Sequence, residues 1–392
     1  MKNKNIVIIG GGFAGISALR RLRRYKSRLD SDFRVVLIDK KKDFEFLPML
    51  PDLIGERISP EALKVDLKGF CEKLGCSFLE AEVKSVDLGS KTIFHTRGEL
   101  EYEYLIVASG SETNFFDNND LASSCSKLDN VDDALEINKE LLERAKKQPK
   151  INVVVVGGGY TGIEVATNIY HLLNKNGKEH RITILEKGAD ILMMVPEWLR
   201  KECRKELDRI GITVVANDSL KSYDGQKAFF GSGKVLENAF CVWSAGVRTT
   251  RFLDGIKAER IRTRIKVDKN LEINGSGRGN VFITGDNAAF SYTDSGESLR
   301  MAVMFSMGQG KIAAENVVRS IFKRPSRKYK AVDLGYLIPF ATGKAPGIIM
   351  GKRINGNTGY FMHYFMCLYR SGWGNRFKML EYWLKGGRCG NC

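Results

Sequence analysis

Glycines recur at the same spacing in two distant parts of the chain. They are Gly10, Gly12 and Gly15 in NIVIIGGGFAGISAL, and Gly157, Gly159 and Gly162 in INVVVVGGGYTGIEVA. In G-x-G-x-x-G the first glycine permits a tight turn, the second lets the backbone approach a pyrophosphate, and the third lets the next helix pack against the strand. The positive end of the helix dipole then faces the pyrophosphate. Each segment is therefore a candidate dinucleotide site.

An acidic residue follows each glycine set at the same distance. Asp39 ends FRVVLID and Glu186 ends RITILE, each 24 residues after the last glycine of its own set. An acid at the end of the second strand accepts hydrogen bonds from a ribose diol. A carboxylate there repels the extra phosphate of NADP, so Glu186 favours NADH, although the neighbouring Lys187 could relax that preference. We therefore expect two dinucleotides.

Apolar runs of strand character lead into these turns. Residues 6–9 and 153–156 are continuous β-branched runs, which are typical of strands buried on both faces of a parallel sheet. Three further apolar runs also end in small or acidic residues. In YEYLIVASGSETNF the apolar part ends at Ser109 and Gly110, and in AFCVWSAGVRTT it ends at Ala245 and Gly246. In NVFITGDNAAF the apolar part is expected to bring Gly285 and Asp286 to the start of a helix.

Length and composition bound the architecture and the location. A chain of 392 residues can bury two or three cores. No basic leader with an apolar segment precedes the first strand, and no apolar run approaches the roughly 20 residues of a spanning helix. We therefore expect a cytoplasmic protein whose eight cysteines are thiols.

Positive charge is concentrated near the C-terminus. From Lys323 onward there are 13 Lys and Arg against Asp333 and Glu381, which is +11 of the formal net charge of +16. A basic tail on a nearly balanced body indicates an anionic partner, either a membrane surface or a nucleic acid.

With these motifs in this order, the chain resembles the two-dinucleotide flavoprotein superfamily over roughly residues 5–320. In that superfamily the first motif holds FAD, an inserted second motif holds NAD(P)H, and a Gly-Asp pair returns to the flavin. The resemblance implies that Asp286 binds the ribityl and phosphate portion of FAD. It also implies that the cofactor-binding residues are Gly10, Gly12, Gly15, Asp39, Lys40, Ser109, Gly110 and Asp286 for FAD, and Gly157, Gly159, Gly162, Glu186 and Gly246 for NADH.

The cysteines separate the chain from two branches of this superfamily. Disulfide reductases carry C-x4-C just after the first βαβ unit, where this chain has DFEFLPMLPDL. Sulfide:quinone relatives need cysteines flanking the flavin, and Cys125 alone is insufficient. Cys71 and Cys76 follow an amphipathic helix and are expected to pack. Cys389 and Cys392 could bind metal or cycle oxidatively, but two thiols cannot complete a zinc site, so no metal is expected.

What remains resembles the type II NADH dehydrogenases, single-chain flavoproteins that pass electrons from NADH to a membrane quinone without pumping protons. Three segments are similar to sequence motifs of that family, namely FEFLPML, GYTGIE and WSAGVR. The likeness implies that Glu164 faces the nicotinamide and flavin. The alternative is a glutamate in the first turn of a helix, stabilised by the helix dipole.

The expected quinone site departs from the family pattern. The family usually carries A-Q-x-x-x-Q on the helix after the Gly-Asp strand, and here only Gln309 stands nearby. Met304, Phe305 and Gln309 are the candidate quinone pocket. Met304, Phe305 and Met307 could instead be ordinary core, and the acceptor could be another lipid-soluble carrier.

Two C-terminal segments have amphipathic or interfacial character. GNRFKMLEYWLK places apolar side chains at residues 377, 380, 383 and 384 on one helical face, and YFMHYFMCLYR just before it is dense in aromatics. Basic residues with interfacial aromatics predict a helix pair on an anionic bilayer. The alternative is packing on the body of the protein or on a second subunit in a homodimer. Nucleic acid is disfavoured, because the aromatics are not interleaved with basic residues.

We therefore predict an α/β protein with two Rossmann-like domains and a C-terminal membrane-docking segment. The FAD domain comprises residues 1–112 and 243–322, the NADH domain residues 113–242, and the docking segment residues 323–392. The predicted function is FAD-dependent NADH:quinone oxidoreduction without proton pumping, peripheral on the inner face of the cell membrane. The alternatives are a soluble NAD(P)H-dependent reductase of a small iron–sulfur protein and an NADH-responsive, flavin-loaded interaction protein.

Overall fold

The computed structural model describes residues 4–29, 32–273, 279–292 and 298–371. The chain divides into two compact units, each built from three separate segments. The first unit is Met1–Phe44, Val65–Glu112 and Arg248–Asp333, and the second is Glu45–Lys64, Thr113–Val247 and Leu334–Cys392. Residues 45–64, which the sequence analysis assigned to the FAD domain, thus belong to the second unit.

Twenty-five strands lie within the described residues. They are β1 (Lys4–Ile9), β2 (Phe33–Asp39), β3 (Asp43–Glu45), β4 (Lys64–Asp66), β5 (Ser77–Glu80), β6 (Val83–Asp87), β7 (Thr92–His95), β8 (Gly98–Glu101), β9 (Tyr104–Val107), β10 (Ser111–Thr113), β11 (Lys150–Val156), β12 (Glu179–Leu185), β13 (Thr213–Val215), β14 (Leu220–Tyr223), β15 (Ala228–Phe230), β16 (Val235–Leu236), β17 (Ala239–Trp243), β18 (Val247–Thr249), β19 (Arg260–Ile261), β20 (Arg264–Val267), β21 (Val281–Ile283), β22 (Ala288–Phe290), β23 (Gly335–Leu337), β24 (Gly347–Ile349) and β25 (Lys352–Ile354).

Eleven α-helices and three 3₁₀ turns complete the described elements. The helices are α1 (Phe13–Arg23), α2 (Lys26–Leu29), α3 (Leu50–Ile54), α4 (Pro60–Leu63), α5 (Leu67–Leu74), α6 (Asn119–Ser124), α7 (Val131–Lys147), α8 (Tyr160–Lys175), α9 (Glu197–Arg209), α10 (Val303–Ile321) and α11 (Gly356–Arg370), and the 3₁₀ turns are Leu47–Met49, Arg251–Gly255 and Gly285–Asn287.

A parallel sheet in the order β21-β9-β1-β2-β5 forms the centre of the first unit. β1 lies between β2 and β9, with Ile8 opposite Leu37 on one side and Ile106 on the other. The side chains of residues 6–8 are fully buried. This confirms the prediction of a strand buried on both faces. The smaller sheets β6-β7-β8 and β19-β20-β22 belong to the same unit.

The second unit has a parallel sheet of its own in the order β13-β12-β11-β17. Residues 153–156 of β11 are buried between β12 and β17, again as the β-branched run predicts. The antiparallel sheets β14-β15-β16 and β23-β24-β25 accompany it. Both units therefore position a glycine-rich turn at the carboxyl end of a central parallel strand.

The segment after β21 differs from the expectation. Gly285 and Asp286 were predicted to start a helix, but they lie in the 3₁₀ turn Gly285–Asn287, which leads directly into β22. The sequence Ala-Ala-Phe is buried there because Ala288 pairs with Ile265 of β20. The next helix, α10, starts only at Val303.

Membrane spans and disulfides are not seen in the part of the chain that the structure describes. No helix in those residues has both the length and the apolar character needed to cross a bilayer. Their cysteines are free thiols, namely Cys71, Cys76, Cys125, Cys203, Cys241 and Cys367. Cys71 is fully buried, and its carbonyl accepts a hydrogen bond from the Cys76 N–H at the end of α5, which fits a packing role. Cys389 and Cys392 lie outside the described residues.

The close approach of α1 and α10 gives a test of this fold. A Cβ added at Gly310 would lie 2.1 Å from the carbonyl oxygen of Ala14. We expect Gly310→Ala to lower the free energy of unfolding by about 1–3 kcal/mol, because one helix must move away from the other. Gly255→Ala is the matched control, since nothing lies within 4 Å of its added Cβ. Thermal unfolding measures both, and equal melting temperatures for the two variants would contradict this packing.

Candidate functional site

The glycines of the first turn have the distinct steric roles that their spacing predicts. Gly10 has φ +102°, and a Cβ there would lie 2.3 Å from the carbonyl oxygen of Ala108. A Cβ at Gly15 would lie 1.9 Å from the carbonyl oxygen of Gly10. Gly12, by contrast, has open space around its Cβ position and begins α1 without a side-chain cap. The unbonded N–H groups of the helix thus remain available to an anion.

The first acid is fixed beside this turn. Asp39 Oδ2 accepts a hydrogen bond from Gly11 N at 2.6 Å, and Oδ1 accepts one from Lys41 N at 2.8 Å. A cleft of about 660 Å³ opens next to it. Four of the predicted cofactor residues line this cleft, namely Gly10, Asp39, Lys40 and Ser109. The structure adds side chains that the sequence analysis did not select, namely Glu112, Thr250, Arg251 and Phe252.

Gly110 and Asp286 are linked through a residue that the sequence analysis missed. Asn287 Nδ2 donates to the Gly110 carbonyl at 2.7 Å, and its Oδ1 accepts from Gly110 N at 3.2 Å. Asp286 Oδ2 accepts a hydrogen bond from Ser111 Oγ at 2.9 Å. Burial raises the pKa of Asp286, while the Ser111 hydrogen bond and the Arg264 charge oppose that rise. The one available signal for Asn287 was its position directly after the Gly-Asp pair.

The second turn repeats the first in detail. Gly157 has φ +107°, and a Cβ there would lie 2.9 Å from Ala245 N. A Cβ at Gly162 would lie 1.9 Å from the Gly157 carbonyl oxygen, and Gly159 again has open space. Glu186 Oε2 accepts from Gly158 N at 2.6 Å, and Oε1 accepts from Gly188 N at 2.6 Å. Both units thus hold a carboxylate at the same place relative to the glycine turn.

An exposed aromatic ring lies against Gly246. Gly246 has φ +89°, and its added Cβ would lie 2.9 Å from Phe116 Cζ. Phe116 and Asp117 both have positive φ, at 53° and 60°, and Phe116 remains 64% exposed. Backbone strain of this kind concentrates at binding loops. The signal in the sequence was NFFDNN, two aromatics followed by residues that tolerate the left-handed region.

Glu164 lies on α8 in an unusual electrostatic environment. Burial raises its pKa well above the ordinary value, and the nearby Asp52 carboxylate raises it further. Among the described residues none donates a hydrogen bond to its carboxyl, and the residue keeps partial contact with solvent. The first turn of α8 contains no acidic residue, so the helix-dipole interpretation of Glu164 is wrong.

A buried ion pair adjoins Glu164, and the sequence analysis did not anticipate it. Asp52 is 4% exposed, and its Oδ1 accepts from Arg57 Nη1 at 2.9 Å and from Tyr364 OH at 2.5 Å. Arg57 also donates to Tyr360 OH. Its guanidinium carbon lies 5.6 Å from the ring centroids of both Tyr360 and Tyr364. The signal was a charged pair inside the apolar segment LPMLPDLIGER.

The candidate quinone residues differ in their exposure. Gln309 is almost fully buried, and its Oε1 accepts a hydrogen bond from Gly285 N at 2.7 Å. Phe305 is also buried, 5.1 Å from the Arg300 guanidinium carbon, whereas Met304 is partly exposed. Gln309 therefore supports the Gly-Asp turn directly. A pocket formed by these three residues stays a prediction.

Of the two predicted docking helices, the structure describes only the first. α11 contains all of YFMHYFMCLYR, and Gly359, Tyr364 and Cys367 of this helix are buried. Its other side leaves Phe361, Phe365 and Tyr369 at least half exposed. One face therefore packs within the second unit, and the other presents aromatics to solvent. The helix predicted at 374–385 lies outside the described residues.

These features define a protein with two dinucleotide-binding turns on two separate parallel sheets. Residues 4–310 match the family model of the pyridine nucleotide-disulphide oxidoreductases, and the chain belongs to this family. No group of three or more His, Cys, Asp or Glu that could hold a metal ion occurs among the described residues.

Known relatives agree with the family resemblance seen in the sequence. The chain is 24% identical to the type II NADH:quinone oxidoreductase of Staphylococcus aureus, over 92% of this chain and 93% of the relative. The solved structure of NDH2 from Plasmodium falciparum in complex with NADH superposes with a TM-score of 0.86 at 20% identity, covering 99% of both chains. The sulfide:quinone oxidoreductase of Aquifex aeolicus superposes at 0.80 with 19% identity, over 96% and 92%. The resemblance to the type II NADH dehydrogenases is thereby confirmed, and the superpositions show a shared fold.

The placement of Gln309 gives a test that separates two roles. If its main task is to hold Gly285 N, Gln309→Leu should lower the free energy of unfolding by about 1–3 kcal/mol, because a buried N–H loses its acceptor. Urea unfolding measures this loss. If Gln309 contacts the acceptor instead, the unfolding free energy will be unchanged, and the KM for quinone alone will rise.

Proposed function

We propose that this chain is an FAD-dependent NADH:quinone oxidoreductase. The observation that carries the proposal is the duplicated turn, in which open space beside the second glycine is combined with a backbone-bound carboxylate in each unit. Two such sites fit two dinucleotides, one bound as a cofactor and one exchanged as a substrate. Similarity to named NADH:quinone oxidoreductases over nearly the whole chain supports the choice of substrates.

The first unit fits FAD. Gly12 leaves room for the pyrophosphate at the start of α1, and Asp39 is placed for the ribose hydroxyls. Arg251 in the wall of the adjoining cleft adds a positive charge suited to a phosphate. Asn287 and Asp286 extend the polar surface toward the ribityl chain. When bound, FAD supplies the redox chemistry, accepting a hydride from NADH and passing two electrons to quinone.

The second unit fits NADH. Glu186 beside the turn accepts the hydroxyls of the adenine-side ribose, and its charge repels a 2′-phosphate. Since Glu186 directly follows β12 and β17 lies on the other side of β11, the nicotinamide half extends toward Gly246. Phe116 then packs against that half. Glu164, which is partly exposed on α8, then faces the nicotinamide.

Quinone and a membrane surface are the remaining partners. Met304, Phe305 and Gln309 stay the candidate contacts for the quinone headgroup. The exposed aromatics of α11 lie within the basic C-terminal region, a combination suited to the interface of an anionic bilayer. We place the protein in the cytoplasm, peripheral on the inner face of the cell membrane. The same aromatic face could instead join two copies in a homodimer, and sedimentation distinguishes that case.

Acceptor specificity tests this function. The purified protein should release FAD, and not FMN, on denaturation, because the first turn is built for a dinucleotide and the residues that line the cleft beside it include no His or Cys for a covalent flavin link. It should oxidise NADH with a water-soluble quinone much faster than with a small iron–sulfur protein. A preference for the iron–sulfur protein would establish the soluble reductase instead. FAD binding without turnover with either acceptor would establish the interaction protein.

The nucleotide preference should depend on Glu186. Glu186→Ala should weaken NADH much more than NADPH, because the lost hydrogen bonds are made only to the unmodified ribose and the repulsion of a 2′-phosphate is removed. We expect the ratio of kcat/KM for NADH over NADPH to fall at least tenfold, corresponding to about 1.4 kcal/mol. Steady-state kinetics with both nucleotides measure this ratio. A wild-type enzyme that already prefers NADPH would contradict the assignment.

Membrane docking should depend on the exposed face of α11. Replacing Phe361, Phe365 and Tyr369 by Ser should reduce flotation with anionic vesicles, especially at high salt, since the burial of aromatic area is not screened by ions. NADH oxidation with a water-soluble quinone should persist. Phe94→Ser, at a 41% exposed aromatic of the first unit, is the control. Full-length protein that stays in solution even at low salt would refute docking.

A further inference from the structure

An exposed phenylalanine of the second unit fills the space that a side chain of Gly246 would occupy. The ring atom Phe116 Cζ lies 2.9 Å from a Cβ added at Gly246, and Cε2 lies 3.5 Å from it. The sequence analysis selected Gly246 as a residue that contacts the nucleotide. In the structure, the missing side chain of Gly246 makes room for the Phe116 ring, which covers the backbone there and is itself 64% exposed.

The covered glycine lies shortly after β17, next to the glycine-rich turn of the second unit. Ser244 N donates to the Val156 carbonyl at 2.8 Å, and a Cβ at Gly157 would lie 2.9 Å from Ala245 N. The parallel strands β11 and β17 therefore end at the same edge of the sheet. Ligands of open parallel sheets bind at this carboxyl edge. The exposed ring of Phe116 therefore borders the place that the proposed function gives to NADH.

The loop that contains this ring is fixed by hydrogen bonds and by a second aromatic contact. Asn114 N donates to the Gly246 carbonyl at 3.2 Å, and the Asn114 carbonyl accepts from Trp243 Nε1 at 3.0 Å. Asn114 Oδ1 accepts from Phe116 N at 2.9 Å. Phe115 stacks on the Trp243 indole, with ring centroids 5.2 Å apart. The position of the Phe116 ring is therefore determined by the protein itself, before a nucleotide binds.

The backbone of this loop is strained at the exposed ring. Phe116 and Asp117 have φ of 53° and 60°, in the left-handed region that bulky side chains rarely adopt. Strain of this kind destabilises the folded state and persists where the surroundings impose it, most often at binding sites. Because the ring is mostly in solvent, its burial offsets little of that strain. Folding stability therefore does not explain a phenylalanine at this position.

We propose that the exposed face of the Phe116 ring is the surface on which the nicotinamide half of bound NADH packs, and that the strained loop holds the ring there. A flat aromatic ring offers stacking and dispersion contacts to a nicotinamide, and bare glycine backbone does not. Phe116 thereby supplies the nucleotide contact that the sequence analysis assigned to Gly246. This inference rests on the proposed function, which assigns the second glycine turn to NADH.

Phe116→Ala in the FAD-loaded, full-length protein is the direct test. The KM for NADH and the Kd of NAD⁺ should both rise by about 5- to 50-fold, the range expected when an aromatic stacking surface is removed. ADP-ribose competes with NADH but has no nicotinamide, so its inhibition constant should change by less than about twofold. Phe116→Tyr retains the ring and should retain tight binding of both nucleotides. Steady-state kinetics with a water-soluble quinone and calorimetry with NAD⁺ measure these constants.

Phe116→Asn separates nucleotide binding from folding. Asparagine tolerates the left-handed region, so the melting temperature of this variant should equal that of the wild type or exceed it by roughly 1–4 °C. The KM for NADH should nevertheless rise as it does with alanine. A phenylalanine that served only the fold would give the opposite result, a lower melting temperature with an unchanged KM.

Met350→Asn is the matched control in the same unit. Met350 is 76% exposed and has φ of 48°, so this substitution also removes an exposed apolar side chain from a residue in the left-handed region. Its melting temperature should respond in the same direction as that of Phe116→Asn. The KM for NADH should stay at the wild-type value, because Met350 lies in the turn between β24 and β25 and not at the glycine-rich turn.

Three results would overturn the proposal. They are unchanged binding of NADH and NAD⁺ by Phe116→Ala, an equal loss of affinity for ADP-ribose and NADH, and a lowered KM for NADH, which would show that the ring obstructs the site. Failure of the proposed function would look different. The wild type would then bind neither NADH nor NAD⁺, and this inference would fail with it.

Discussion

The contact of one backbone on another at the third glycine is the constraint on which both units depend. A Cβ at Gly15 or Gly162 would lie 1.9 Å from the carbonyl oxygen of the turn's first glycine, so only glycine allows the helix to start directly over the strand. That approach aims the free N–H groups of the helix at the space beside Gly12 and Gly159. A larger residue would push the helix away and displace the anion site with it.

The glycine turns also orient the two acidic residues that we propose bind ribose. Asp39 and Glu186 are each anchored by two backbone N–H groups, one from the glycine turn and one from two residues further on. Their orientation therefore follows from the turn and needs no other side chain. Since charge-assisted bonds of this kind are short and directional, the carboxylate is already oriented for a ribose before a nucleotide arrives. The same geometry in both units fits the adenine-side ribose that the two proposed dinucleotides share, one held as a cofactor and one exchanged as a substrate.

The second unit also contains a buried ion pair that lies outside the glycine-rich turn. The Asp52–Arg57 pair and Tyr364 tie α11 to α3, although residues 52 and 364 are 312 positions apart. This contact gives α11 a buried face and thereby decides which of its aromatics remain exposed. The hydrogen bonds among Asp52, Arg57 and Tyr364 thus place a buried ion pair in the second unit and also orient the aromatic face of α11 that we propose for membrane docking.

Local features of the sequence determined the turns, the acids that serve them and the buried strands between, because spacing and periodicity act over a few residues. The order of the motifs further indicated the family, which the family match confirmed. Tertiary structure alone decided that Gln309 binds Gly285 N, that Phe116 lies on Gly246, that residues 285–287 lead into a strand and that Asp52 meets Tyr364. These pairings join segments distant in the chain, and their energies come from burial and from hydrogen bonds that no local pattern encodes.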